Sequence, residues 1–263
     1  MPKVRRAAVA GVFYAADPRM LASDVGRMLD AAEAPDRPPP KAIIAPHAGY
    51  RYSGPVAAKA FAMLAKAAGR TSRVVILGPA HYEGSQGIFI PRQTVFDMPL
   101  GAMQVDREAV AAIESLPRIV FSDEAHRPEH SVEVQLPFLR VVLDEIMVVP
   151  LLVSRSSAEQ VAEVLRRLWD GDDTVIVISS DLSHYEDYDS ARMIDATTAA
   201  AIEALDGTPL NAERACGYRA IQGLLLEARR RGLTIERLDL GNSGDTAGDK
   251  SSVVGYGAWA LWE

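Results

Sequence analysis

The sequence predicts an α/β fold, a single domain with a mostly parallel central sheet flanked by helices. Three observations carry this. Short β-rich apolar runs alternate with amphipathic helical stretches along the chain, the pattern of strands joined by helical crossovers. The length of 263 residues suits one such domain. The only linker-like stretch, Ala34 to Pro40 with its four prolines, comes too early to separate two folding units and reads as a loop. Residues 1–263 are therefore expected to form one unit.

The elements follow in order. Lys3, Arg5 and Arg6 precede an apolar stretch from Ala7 to Ala16 that imitates a secretory signal. That stretch runs straight into Asp17-Pro18, a helix-start signal, with Leu21, Val25, Met28 and Leu29 behind it at helical spacing. It reads instead as a first strand leading into a helix. Ala42 to Ala45 is the next strand, and Gly54-Pro55 opens a helix that Gly69 closes. Val74 to Leu77 and Ile146 to Leu152 read as strands. Ser157 and Gln160 form a capping box ahead of Val161, Val164, Leu165 and Leu168. Val175 to Ser179 and Val253 to Leu261 complete the set of strands.

Composition narrows the function classes. Apolar residues at 48% and charged residues at 24% are ordinary for a globular chain. Acidic residues number 35 against 28 basic, for a net charge of −7, and no basic run could track a phosphate backbone, so nucleic acid is not an expected partner. No segment approaches the roughly 18 uncharged apolar residues of a membrane span. Cys216 is the single cysteine, which precludes an intramolecular disulfide and fits a reducing compartment. A cytoplasmic protein is expected.

In open α/β sheets the chemistry lies outside the carboxyl ends of the strands. Three histidines fall there: His47 after Ala42 to Pro46, His81 after Val74 to Ala80, and His184 after Val175 to Asp181. Neutral imidazoles suit Fe, Cu, Zn and Ni, and two imidazoles with one carboxylate leave coordination positions open for substrate and dioxygen. The loop Gly241 to Asp249 offers that carboxylate in Asp245 or Asp249, against the plainer reading of a solvated glycine turn. No H-x-H or C-x-x-C spacing marks a local metal motif. His130, in Glu129 to Phe138, reads equally as a proton carrier or as a helix-end hydrogen-bonding residue. His126, among Glu124, Arg127 and Glu129, reads as a surface residue.

The residues carry more than spacing. Pro46-His47-Ala48-Gly49-Tyr50 with Tyr52-Ser53-Gly54, Leu77-Gly78-Pro79-Ala80-His81, Glu129 to Leu139, Ser179-Ser180-Asp181-Leu182-Ser183-His184-Tyr185 and Gly241 to Asp249 together resemble the MEMO family. Ala8 to Tyr14 with Asp17-Pro18 matches too, so the resemblance covers essentially the whole chain and disposes of the signal-peptide reading. It implies a fold similar to class III extradiol dioxygenases, the non-haem iron enzymes that open catechol-type rings. It implies metal ligation by His47 and His81, with the third ligand expected at Asp245 rather than Asp249. His184 corresponds to the strand-end acid/base of the dioxygenase relatives, and His130 to a neighbour supporting the site. Cys216, in Ala215-Cys216-Gly217, is read as structural. The resemblance also suggests AMMECR1-type and radical-SAM partner proteins, the AmmeMemoRadiSam grouping.

The expectation is a mononuclear site, with Fe(II) ahead of Cu or Zn, acting on a phenolic or enolic small molecule. His184 would move the substrate proton. Asp181 would orient the His184 ring or cap the following helix. Tyr50, Tyr52 and Tyr185 would line the pocket, and Glu133 and Gln135 would add hydrogen bonds. The alternative is a non-catalytic module that binds a peptide or small ligand in the same pocket; it gains if Asp245 and Asp249 both point away from His47 and His81. A Ser/His hydrolase built on Ser180 or Ser183 is a third reading, weakened because no G-x-S-x-G elbow surrounds them.

Overall fold

Runs of Val, Ile and Leu with no interspersed charge can be buried on both faces only in the middle of a sheet. In the computed structural model, which describes residues 3–169 and 171–263, those runs are the central strands. The strands are β1 (Val4–Arg5), β2 (Ala42–Ala45), β3 (Arg73–Pro79), β4 (Gly87–Ile90), β5 (Val95–Phe96), β6 (Met103–Val105), β7 (Ile119–Phe121), β8 (Met147–Ser154), β9 (Thr174–Ser179), β10 (His184–Glu186), β11 (Thr234–Asn242) and β12 (Val253–Trp262). The helices are α1 (Pro18–Asp30), α2 (Tyr50–Ala62), α3 (Arg107–Ile113), α4 (Asp123–His126), α5 (Leu136–Leu143), α6 (Ala158–Leu168), α7 (Tyr188–Glu203), α8 (Tyr218–Arg231) and α9 (Ser243–Ala247).

The main path of the sheet runs β1-β5-β6-β8-β3-β9-β2-β12-β10, with β11 on β12 and β4 bridging β8 and β7. Its centre, β8-β3-β9-β2, is parallel throughout. Antiparallel pairs flank it at β2-β12, β11-β12 and β4-β8. The fold is thus α/β with a mostly parallel, mixed sheet. Val75, Ile76, Val149, Leu151, Ile176 and Val177 have no exposed surface, and the helices cover both faces with residues such as Leu21, Phe61, Leu165 and Leu224.

Local signals account for several boundaries. The Asp17 carboxylate accepts from the amides of Arg19 and Met20 and starts α1. Ser157 and Gln160 form the reciprocal capping box of α6. Other expectations are corrected. Ala7 to Ala16 is not a strand: the pairing strand is Val4–Arg5, and the segment after it is a turn whose amides at Ala8 and Val9 donate to Glu133. The helix expected at Gly54-Pro55 begins at Tyr50, with Pro55 inside it, and it ends at Ala62 well before Gly69. Among the described residues no helix is long and apolar enough to cross a membrane.

Candidate metal centre

Because β3, β9 and β2 are adjacent and parallel, the residues that follow them emerge along one edge of the sheet. His81 leaves β3, Asp181 to His184 leave β9, and His47 leaves β2. The rings of His47 and His81 lie 5.3 Å apart between centroids. His130, from the segment preceding α5, stacks on His81 at 4.8 Å and meets His47 edge-on at 5.5 Å. His184 does not join these ring contacts: its Nδ1 pairs with the carbonyl of Leu182 at 2.8 Å.

Hydrogen bonding decides which nitrogen of each imidazole is free. The Ser179 hydroxyl has one proton, which it donates to the carbonyl of Ser131 at 2.6 Å, and it accepts from Gln135 Nε2 at 2.7 Å. It can therefore only accept from His47 Nδ1, 2.8 Å away. His47 Nε2 is left with its lone pair, facing Cys216 Sγ at 3.3 Å. His81 reaches the same tautomer by other means: Nδ1 donates to Glu129 Oε1 at 2.9 Å, and its backbone N–H donates to Oε2 at 2.6 Å. A carboxylate behind an imidazole fixes the ring and raises its basicity.

Glu129 is held by more than His81. Its Oε1 also accepts from the amides of His130 and Ser131, both at 2.9 Å. Burial works to raise its pKa, but the charge and hydrogen bond of His81 and the Ser131 amide override it and hold the carboxyl down to about 2. Burial also depresses His81, and the Glu129 hydrogen bond and charge reverse this to a net rise. His47 is pushed well below its ordinary value, first by burial and then by its imidazole neighbours, which keeps it neutral and able to ligate.

Cys216 arrives just ahead of α8. Its N–H donates to the carbonyl of Asp181 at 3.3 Å, and the Gly217 N–H donates to Ser180 Oγ at 2.9 Å. A Cβ at Gly217 would lie 2.6 Å from the carbonyl oxygen of Ser179, so only glycine lets the chain approach β9 this closely. Burial and the nearby Asp181 charge push the thiol pKa up. A bound cation would reverse that preference, because coordinating thiols deprotonate.

His47, His81 and Cys216 each offer one ligand atom, and the three atoms lie within 4.8 Å of one another. Two imidazoles, each with its Nδ1 engaged by a hydrogen bond, and one thiol match the donors that Fe, Cu and Zn accept. The group opens beside a cleft of about 350 Å³ to which His81 and Cys216 contribute.

Asp245, the expected third ligand, is not part of this group. It is exposed; Oδ2 accepts from the Asn242 amide at 2.9 Å as half of the α9 capping box, and Oδ1 accepts from Tyr188 Oη at 2.7 Å. Asp249, also exposed, accepts from the amide and hydroxyl of Ser251 at 2.9 and 2.8 Å. Both carboxylates are engaged away from the histidines, Asp245 by its own loop and by Tyr188, and Asp249 by Ser251. Cys216, read from sequence as structural, is the residue grouped with His47 and His81.

Other positions shift as well. Among the described residues no hydrogen bond joins Asp181 to the His184 ring; its Oδ1 accepts from the amides of His47 at 2.7 Å and Ala48 at 3.3 Å, fixing the backbone that carries a candidate ligand. Tyr50 is buried, donating to the carbonyl of Val134 at 2.7 Å, while Tyr185 is exposed. Glu133 pairs with buried Arg5 and Tyr14, tying the N-terminal segment to the core. His126 is buried, not superficial: Nε2 faces the carbonyl of Phe89 at 3.1 Å, and burial holds its pKa down to about 4. Ser180 donates to the carbonyl of Asp181, and no hydrogen bond among the described residues joins Ser180 or Ser183 to the His184 ring. Nothing in the hydrogen bonding supports the hydrolase reading. Glu129 and Ser179 were not singled out from sequence, although both lie in motifs beside histidines.

A family model described as Memo-like protein matches residues 5–260. A MEMO1 family protein of Methanothermobacter thermautotrophicus is 35% identical, covering 96% of this chain and 98% of that relative. One from Sulfolobus acidocaldarius is 37% identical, covering 96% and 97%. Among solved structures, an uncharacterized protein of Escherichia coli K12, JW3007, superposes with a TM-score of 0.55 over 83% of this chain and 98% of that one, at 15% identity. That last likeness is one of fold.

Proposed function

The chain belongs to the Memo-like protein family, and from that premise we propose that it is a mononuclear metal protein acting on a phenolic or enolic small molecule. The observation that carries this reading is the convergence of His47 Nε2, His81 and Cys216 Sγ, with both imidazoles set in the ligating tautomer by Ser179 and Glu129. Fe(II), Cu and Zn are the candidate ions, since a donor set of two imidazoles and a thiolate suits all three. A bound ion would supply Lewis acidity and, if redox-active, electrons for dioxygen chemistry.

The residues of the chain supply the rest. His184 donates through Nδ1 to Leu182, so its Nε2 is free to take a proton from a substrate hydroxyl and return it. His130 is a second candidate carrier: its Nδ1 is buried without a hydrogen-bond partner, 3.5 Å from Glu129. Asp181 keeps His47 in place through its amide.

The absence of Asp245 and Asp249 from the ligand set favours a second reading, in which the same pocket binds a ligand or peptide without turnover. Anaerobic purification with metal analysis, followed by oxygen uptake on a panel of catechols, separates the two. Stoichiometric Fe, Cu or Zn that disappears in the His47→Ala/His81→Ala double variant is expected. No metal in the wild type, or undiminished metal in the variant, overturns the metal reading; metal without oxygen uptake supports the binding module. Association with AMMECR1-type and radical-SAM proteins belongs to the same proposal, and co-purification tests it.

A further inference from the structure

The cleft beside the ligand group has a charge that the rest of the chain does not. The protein carries a net charge of −7, yet no carboxylate lines this cleft, and its two permanently charged residues are Arg155 and Arg219. Neither arginine is in an ion pair among the described residues. They share the cleft with Ser154, Tyr218 and the ligand candidates His81 and Cys216.

The two arginines come from different elements: the Arg219 guanidinium is held by a hydrogen bond, and exposed Arg155 is carried on a clamped turn. Arg219 lies in the first turn of α8, its Nη1 donating to the carbonyl of Ser156 at 2.9 Å. Arg155 follows directly on β8 and has φ +37°, a left-handed conformation that a residue with a Cβ rarely adopts. The turn is clamped on both sides: Ser154 Oγ donates to the carbonyl of Glu83 and Ser156 Oγ to that of Ser154, both at 3.0 Å. Strain held in place by surrounding hydrogen bonds points to a conformation kept for use. A planar guanidinium recognises oxyanions through paired N–H donors. The cleft volume of about 350 Å³ suits a small molecule.

We propose that the substrate is anionic, with a carboxylate or phosphate group held between Arg155 and Arg219 and its reactive end directed at His81 and Cys216. This rests on the metal reading for the reactive end and on the arginines alone for the anion.

The test is calorimetric titration at low ionic strength of chelator-treated protein with inorganic phosphate and, separately, with benzoate; the better ligand assigns the anion class. Binding of at least one anion is expected, weakened about tenfold or more in Arg155→Gly and in Arg219→Gln and unchanged in the distant Arg229→Gln. Arg155→Gly also relieves the left-handed φ, so its thermal midpoint should hold or rise while anion affinity falls; a purely structural arginine would not divide the two. No binding of either anion, or full binding in both cleft variants, overturns the proposal. Metal content is measured on the same preparations before chelation. Arginine-dependent anion binding by a protein without metal would overturn the metal reading alone, and metal without anion binding would overturn this inference alone.

Discussion

The segment Gly241 to Asp249 and the turn Ala215 to Gly217 both contain glycine close to a residue able to bind metal, and among the described residues only the turn brings one beside His47 and His81. The longer segment spends its groups close to home: Asp245 caps α9 and accepts from Tyr188, Gly248 at φ +83° ends the helix, and Asp249 folds onto Ser251. In the turn, the missing Cβ of Gly217 serves a neighbour far away in sequence by letting the chain pack against the end of β9. A carboxylate surrounded by local amide and hydroxyl donors is already satisfied. The Cys216 sulfur has no such local donors: it makes long contacts to Ser180 and Asp181 and faces His47 Nε2 at 3.3 Å.

The sharpest way to break the comparison is to delete each candidate ligand. Cys216→Ala is expected to lower metal affinity by more than about 100-fold, beyond what losing a supporting partner costs, whereas Asp245→Ala retains wild-type metal. Metal analysis of the two variants purified side by side decides it. Equal retention would return the third ligand to the glycine loop.

Glu129 is the carboxylate that the site does use, and it extends the contrast from exposed to buried acids. Its folded pKa, about 2, lies below the ordinary 4.5. The unfolded chain therefore takes up the proton first as pH falls. The stabilisation is fully present above about pH 4.5 and is lost between there and about pH 2, on the order of 3 kcal/mol. Denaturant titrations across that window should show the loss in the wild type and a flatter profile in Glu129→Gln.

Next in size is backbone approach. Gly217→Ala places a Cβ 2.6 Å from a carbonyl oxygen of β9, where neither backbone can yield easily; a loss of about 2 kcal/mol is expected. At Gly241 the nearest atom is Asp245 Oδ2 at 3.3 Å, the far end of an exposed side chain. Gly241→Ala should cost less than about 1 kcal/mol. Equal losses would mean that the turn is not held against β9 as tightly as its geometry requires.

What the sequence made legible follows from range. His47, His81 and His184 could be placed because each trails an uninterrupted apolar run, and such runs become parallel strands whose ends align. Cys216 and Glu129 could not be placed in the same way. Their roles depend on which loop crosses which strand end, and Glu129 meets His81 across 48 residues, Cys216 meets His47 across 169. The same holds for His126: its charged sequence neighbours suggest a surface, but buried Arg5, 121 residues away, donates to its carbonyl and seals it inside. The short strands β4 to β7 lack enough residues for a period to emerge.

The smallest effect tests the local half of the comparison. Asp245 Oδ2 holds the Asn242 amide, and Asn242 Oδ1 in return accepts from the Gly244 amide at 2.9 Å, a reciprocal cap on a helix of five residues. Removing one partner of such a cap costs about 1 kcal/mol. The side chain is exposed, so water will recover part of the lost hydrogen bonding. Asp245→Ala should therefore lower stability by no more than about 1 kcal/mol in urea titration, and Asp245→Asn by less, since an amide oxygen can still accept from Asn242. A larger loss, or one that appears only in the metal-loaded protein, would show that the loop is coupled to the site after all. A small loss independent of metal would confine Asp245 to the structure of its own turn.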